Sequence, residues 1–164
     1  MSHVATVNVE IKDLDALALA AARCGLELVL GQTTYRWYGM DAGNMGLTAE
    51  QQEFVRLGLT PGVCEHALRV ADPKARKGYG AYEIGVVRHP ETGKLTLMWD
   101  DLCGRLGRCV RAEGERSGMG KLLQMYAVEA AKRSMARQGI NCREVSLPNG
   151  SIKLVGIPNT LTRA

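Results

Sequence analysis

Hydrophobic and polar positions alternate from residue 3 to residue 11. Ala5, Val7, Val9 and Ile11 fall on one side and Thr6, Asn8 and Glu10 on the other, the two-residue period of a half-buried strand. From Leu14 the period lengthens: Leu14, Leu17, Ala18, Ala21 and Cys24 recur at helical spacing, with Asp13 placed to cap the first turn and Gly25 just past the last. A second strand is predicted from Leu26, with Leu28 and Leu30 on one face. Gly31 reads as a bulge, after which Thr33, Tyr35 and Trp37 continue the strand. Tyr82, Ile84 and Val86, then Leu95, Leu97 and Trp99, alternate on either side of His89-Pro90-Glu91-Thr92-Gly93, which predicts a hairpin. Further on, the turn Ser117-Gly118-Met119-Gly120-Lys121 opens a long helix. Its buried stripe is Met119, Leu122, Leu123, Tyr126 and Ala130; the helix runs to Arg137 and stops at Gly139. A last hairpin pairs Cys142–Leu147 with Ile152–Ile157 around Pro148-Asn149-Gly150.

The stretches between these elements are less regular. Within residues 39–78, Gly39, Gly43, Asn44 and Gly46 read as loop and Thr48-Ala49-Glu50-Gln51 as a capping box opening a short helix. Ala67–Val70 reads as a short strand, and Lys74-Ala75-Arg76-Lys77-Gly78 as a basic loop. Residues 101–118 read as a basic, glycine-rich loop carrying Arg105, Arg108, Arg111 and Arg116. The sum is a single α+β domain over residues 1–157, with a tail at 158–164. It is a mainly antiparallel sheet with two main helices packed on it, in the order β-α-β, irregular insert, β-β, α, β-β. Strand order is not legible from the pattern.

Composition narrows the class. A chain of 164 residues with 46% hydrophobic and 23% charged positions is long enough and apolar enough to bury a core. No apolar run approaches a bilayer span, and Met1-Ser2-His3-Val4 lacks a basic region followed by an apolar run, so neither a membrane segment nor a signal peptide is expected. Five scattered cysteines, an odd number, point to a reducing compartment and a cytoplasmic setting rather than a disulfide framework. A net charge of +4 permits contact with nucleic acid or nucleotides without demanding it.

Several short motifs resemble one family. They are Met1-Ser2-His3, Ile11-Lys12-Asp13-Leu14-Asp15-Ala16-Leu17, Tyr82-Glu83-Ile84-Gly85, Leu97-Met98-Trp99-Asp100-Asp101, Leu122-Leu123-Gln124-Met125-Tyr126-Ala127 and Asn149-Gly150-Ser151-Ile152-Lys153-Leu154-Val155. Their order and spacing are similar to those of the domain-of-unknown-function family that includes a hypothetical plastid reading frame, with cyanobacterial, other bacterial and phage relatives. The resemblance implies a fold and a cytoplasmic setting, and no catalytic residue.

Four constellations bear on chemistry. The turn with Arg116, Gly118, Gly120 and Lys121 at a helix start offers backbone N–H groups to a phosphate. It is not a Walker loop, because Glu115 stands where that pattern needs glycine and Leu122 where it needs Ser or Thr. It resembles the acyl-CoA-binding turn of GNAT acetyltransferases, with Arg116 one residue closer to Gly118 than in that pattern; the bland alternative is a flexible loop and helix start. Cys64, His66, Cys103 and Cys109 contain donors suited to zinc but off its usual spacing, so reduced apolar cysteines are the expectation and no metal is assigned. A Cys/His nucleophile pair using Cys64 or Cys103 has no local signature. Finally, Lys74, Arg76 and Lys77 beside Tyr79, together with Arg105 and Arg108, make a basic surface that fits a phosphate-bearing ligand or simply a solvated face.

The expected function is that of a small non-enzymatic binding or accessory protein, its ligand or partner contacted by loops 39–78 and 101–121. No catalytic residue and no cofactor are assigned. The alternatives are an acyl-CoA-dependent N-acetyltransferase using Gly118–Lys121 and a nucleic-acid or nucleotide binder using the basic loops. The expected partner is a protein or a phosphate-bearing small molecule, with nucleic acid and self-association left open.

Overall fold

The computed structural model describes residues 4–38, 52, 55–78, 80–100 and 104–157, apart from the side chains of 4–8. Its elements are β1 (Val4–Ile11), α1 (Leu14–Arg23), β2 (Leu26–Leu30), β3 (His66–Val70), β4 (Ile84–Arg88), β5 (Leu95–Asp100), α2 (Gly104–Val110), α3 (Gly120–Arg137), β6 (Asn141–Ser146) and β7 (Ile152–Ile157). β1 to β5 form one sheet in the order β1-β5-β4-β3-β2, every neighbouring pair antiparallel. The second sheet is the two-stranded hairpin β6-β7. The chain is α+β, as the pattern predicts.

Local chemistry explains the regular elements. Asp13 caps α1 by accepting a hydrogen bond from Ala16 N at 3.0 Å, and Gly25 leaves the helix at φ +74°. Ala16, Leu17, Ala20 and Ala21 are buried. They meet the sheet face made by Leu26, Leu68, Ile84, Val86, Leu97 and Trp99, and Leu122, Met125 and Tyr126 of α3 complete that core. Tyr126 also reaches past the packing: its hydroxyl accepts from Lys12 N at 2.8 Å and from Asp13 N at 3.3 Å, tying the β1–α1 link to α3. The hairpin β6-β7 docks on the helices. Arg23 Nη1 donates to Glu129 at 2.7 Å, Arg23 Nη2 to Glu144 at 2.8 Å, and Lys132 bridges both carboxylates.

Three expectations are corrected. Tyr35 and Trp37 do not continue β2. Gly31 takes φ +74° and its N–H donates to His66 Nδ1 at 3.0 Å, so the chain turns out of the sheet at Leu30. It then crosses to the face away from the helices, where Tyr35, Trp37, Leu59 and Cys64 bury Ala67, Val87 and Met98 in a second core. The short strand predicted at Ala67–Val70 is present as His66–Val70, but it is a sheet strand with partners on both sides and so belongs to the sheet rather than to an irregular insert. Residues 104–110 are not loop but helix α2, with Leu106 and Val110 buried. The capping box at 48–51 and the tail at 158–164 lie outside the described residues.

One glycine explains how the second core closes. An added Cβ at Gly85 would lie 2.5 Å from Cδ1 of Tyr35 and 3.2 Å from Cβ of Cys64. The Tyr35 ring therefore rests directly on the β4 backbone, a close approach that only glycine permits.

Candidate functional site

The predicted glycine turn exists, and a carboxylate already fills it. α3 begins without a side-chain cap from Met119. Instead Glu115 Oε2 accepts from Gly120 N at 3.0 Å and from Ala112 N at 2.8 Å. A Cβ at Gly118 or Gly120 would come within 2.8 or 2.9 Å of that carboxylate. The glycines thus make room for an anion at the positive end of the helix, and the anion is the chain's own Glu115. Lys121 is half-buried beside it and Arg116 is exposed. A phosphate or an acyl-CoA pyrophosphate bound here would have to displace Glu115.

The basic residues divide between two elements. Arg105 and Arg108 are exposed on α2. Lys74 and Arg76 lie in a 3-10 turn, Pro73–Arg76, capped by Asp72, whose carboxylate accepts from Lys74 N at 2.9 Å; Lys77 follows it, exposed. Tyr79 lies outside the described residues. Arg76 is fixed inward: its Nε donates to Val70 O at 2.7 Å and its Nη2 to Ala71 O at 2.6 Å.

That inward turn brings Arg76 to two arginines that the sequence reading did not single out. Arg36, Arg69 and Arg76 line a recess of about 140 Å³ whose walls include Tyr82 and Glu83. They come from three separate places: the segment leaving β2, strand β3 and the 3-10 turn. Glu27 meets two of them through one oxygen, Oε1, at 2.5 Å from Arg69 Nε and 2.9 Å from Arg76 Nη2. The Arg69 guanidinium holds the Glu27 carboxyl below its usual range, with Arg76 adding to the effect. The two terminal nitrogens of Arg69 carry no hydrogen bond among the described residues. Glu83 turns its carboxylate to the backbone: Oε2 accepts from Arg36 N and from the Gln32 side chain, each at 2.9 Å. Three arginines and Glu83 thus line one recess, and Lys74 and Lys77 flank Arg76 in the chain.

The cysteine and histidine candidates have other partners. Cys64 is buried and its thiol donates to Gln32 O at 3.1 Å. Burial pushes it up to about 11, with Glu83 adding to the rise, so it is protonated at neutral pH and is no nucleophile there. His66 Nδ1 is taken by Gly31 N. Cys103 lies outside the described residues, and among those described no three metal-ligating side chains cluster. No helix among the described residues is long and apolar enough to cross a membrane.

The members of the arginine recess sit on different elements, and no local spacing in the sequence joins them. One signal was legible. Arg69 follows Ala67 on the face of β3 opposite Leu68, where the second core should continue apolar, and a cation at that position marks the edge of that core. No family model matches the chain, and neither a curated protein nor a solved structure matches it, so the family resemblance rests on the sequence motifs alone.

Proposed function

We propose that this chain is a non-enzymatic binding protein for a phosphate-bearing small molecule, held at the recess between Arg36, Arg69 and Arg76. The observation that carries the reading is the convergence of three arginines from three separate segments on one recess of about 140 Å³. Guanidinium forks match phosphate oxygens geometrically and keep their charge at every physiological pH. Arg76 is locked by two backbone carbonyls, so little side-chain entropy is lost when it meets a ligand. Among the described residues the two terminal nitrogens of Arg69 hold no partner, which leaves them for new hydrogen bonds. Lys74 and Lys77 raise the local potential and speed encounter with an anion.

The recess supports this reading better than the glycine turn does, because Glu115 already occupies the first N–H of α3, that of Gly120. The test is calorimetric titration of the full chain with inorganic phosphate and with adenosine monophosphate. Arg69→Ala is expected to weaken binding by roughly tenfold or more, the loss of one charge-assisted fork. Lys74→Ala is expected to lower the salt dependence with a smaller loss. Binding that survives Arg69→Ala and Arg76→Ala but is lost in a glycine-turn variant, Gly120→Arg, would move the site to α3. No heat with either ligand would overturn the reading.

A further inference from the structure

A second and larger concavity shares no lining residue with the arginine recess. It measures about 420 Å³ and opens at the β4–β5 turn, between the two cores. Val9 and Leu95 reach it from the helix-side core and Leu59 from the second core. Glu10, His89 and Lys94 line it too, with Thr92 and Thr96. The volume falls within the range of sites for small molecules, which are mostly apolar with a few convergent polar groups.

The polar groups are specific in kind. Glu10 lies in the irregular part of β1, where the pairing with β5 shifts between Val7 and Ile11; such bulges re-aim a side chain. Its Oε2 is 3.1 Å from Lys94 Nζ and 3.4 Å from Lys12 Nζ. No ion pair or hydrogen bond falls on its Oε1 among the described residues. Lys94 is held by the turn itself, since His89 N donates to Lys94 O at 2.8 Å and Lys94 N to Thr92 Oγ1 at 3.3 Å. His89 Nδ1 accepts from Glu91 N at 3.3 Å, which leaves Nε2 as the donor of the neutral ring. The lining of the cleft therefore presents one acceptor charge and one donor charge side by side, with a second donor on the β4–β5 turn.

We propose that this cleft binds an α-amino acid with an apolar side chain. Glu10 takes the ammonium, Lys94 and His89 take the carboxylate, and Val9, Leu59 and Leu95 receive the side chain. The argument is one of charge balance. A purely apolar ligand would leave the Glu10–Lys94 pair desolvated in the cleft without new partners. A simple carboxylate would give Lys94 a new partner and Glu10 none, and a simple amine would do the reverse. A zwitterion exchanges one internal ion pair for two, and its two charges are separated by about the span of the Glu10–Lys94 contact.

The test is titration of the full chain with leucine, methionine and phenylalanine, alongside 4-methylpentanoate and 3-methylbutylamine, which keep the leucine side chain and lose one charge each. At least one amino acid is expected to bind and to shift the methyl NMR signals of Leu59 and Leu95, both deleted-charge analogues of leucine binding roughly tenfold more weakly or worse than leucine. Glu10→Gln and Lys94→Met are each expected to cost roughly tenfold in amino-acid affinity, with circular dichroism confirming the fold. Should either variant fail to fold, the analogue series on the unaltered chain decides. Equal binding of 4-methylpentanoate and leucine, binding that does not shift Leu59 and Leu95, or no binding by any of the three amino acids would overturn the proposal. Phosphate affinity at the arginine recess is expected to stay unchanged in both variants.

Discussion

The two faces of the five-stranded sheet are covered in different ways. On one face α1 and α3 bring closed hydrogen-bond ladders and a continuous aliphatic stripe, with Leu17 and Leu122 fully buried against Leu97 and Trp99. On the other face the cover is irregular chain. Its segments are held together by single backbone bonds, such as Cys64 N to Thr33 O, Tyr35 N to Gly62 O and Glu83 N to Arg36 O, and the Tyr35 ring seats it on the sheet at Gly85. Helices satisfy their own backbone and can be displaced as units; irregular chain depends on each contact for its place. Both recesses border the second cover, through Arg36 in one and Leu57 and Leu59 in the other. The less regular face is where binding is proposed.

The sharpest way to break this contrast is to cut each core separately. Leu97→Ala, fully buried on the helix side, is expected to cost about 2–5 kcal/mol and lower the single unfolding transition of the whole domain. Gly85→Val drives a side chain into the Tyr35 ring and is expected to cost about 1–3 kcal/mol. Its mark is different: near-ultraviolet circular dichroism from Tyr35 and Trp37 changes, far-ultraviolet helix signal stays, and phosphate affinity falls because Arg36 moves with the cover. Equal loss of helix signal in both variants would show one core rather than two.

Smaller changes sharpen the picture of the helix side. Tyr126→Phe keeps the ring in the core and removes the acceptor for Lys12 N and Asp13 N; denaturant titration is expected to show a loss of about 1 kcal/mol. The docking of the β6-β7 hairpin carries a pH signature. The Arg23 guanidinium, helped by Lys132, holds Glu144 below its usual value of 4.5. Its stabilisation is therefore present above the unfolded value and lost as pH falls through the lowered folded value. Glu144→Gln is expected to be less stable than the parent at pH 7 by about 1 kcal/mol or less, the two converging in acid. A constant difference across that pH range would show that the carboxylate charge does not fasten the hairpin.

Thiols give the finest probe. Cys24 is buried in the helix-side core and Cys64 in the second, and burial raises both. In urea below the unfolding transition, alkylation followed by mass spectrometry is expected to modify Cys64 before Cys24, because the irregular cover opens without the helices. Simultaneous modification would mean that the two faces open together.

Much of this architecture is local and was therefore legible. The caps at Asp13 and Gly25, both hairpins and α3 follow from residue types within a turn or two of one another. α2 was missed because Gly104 and Gly107 weaken its propensity, although Leu106 and Val110 already stand four apart on one helical side; Gly107 is bare because the Arg111 guanidinium lies across it on the way to the Trp99 ring. β2 was extended too far because Thr33, Tyr35 and Trp37 alternate as a strand would, while Gly31 had already sent the chain to the other face.

The period of each element, its caps, its turns and the α+β class are set by neighbours along the chain and are legible from residue types alone. Only the tertiary structure decided which charges meet. Glu115 claims the α3 N-terminus that glycines had seemed to hold open, Arg36, Arg69 and Arg76 converge although no spacing links them, and Gly85 becomes the seat of Tyr35. The reason is that periodicity is written in adjacent residues, whereas convergence arises when a long excursion closes over a sheet face and brings distant positions together.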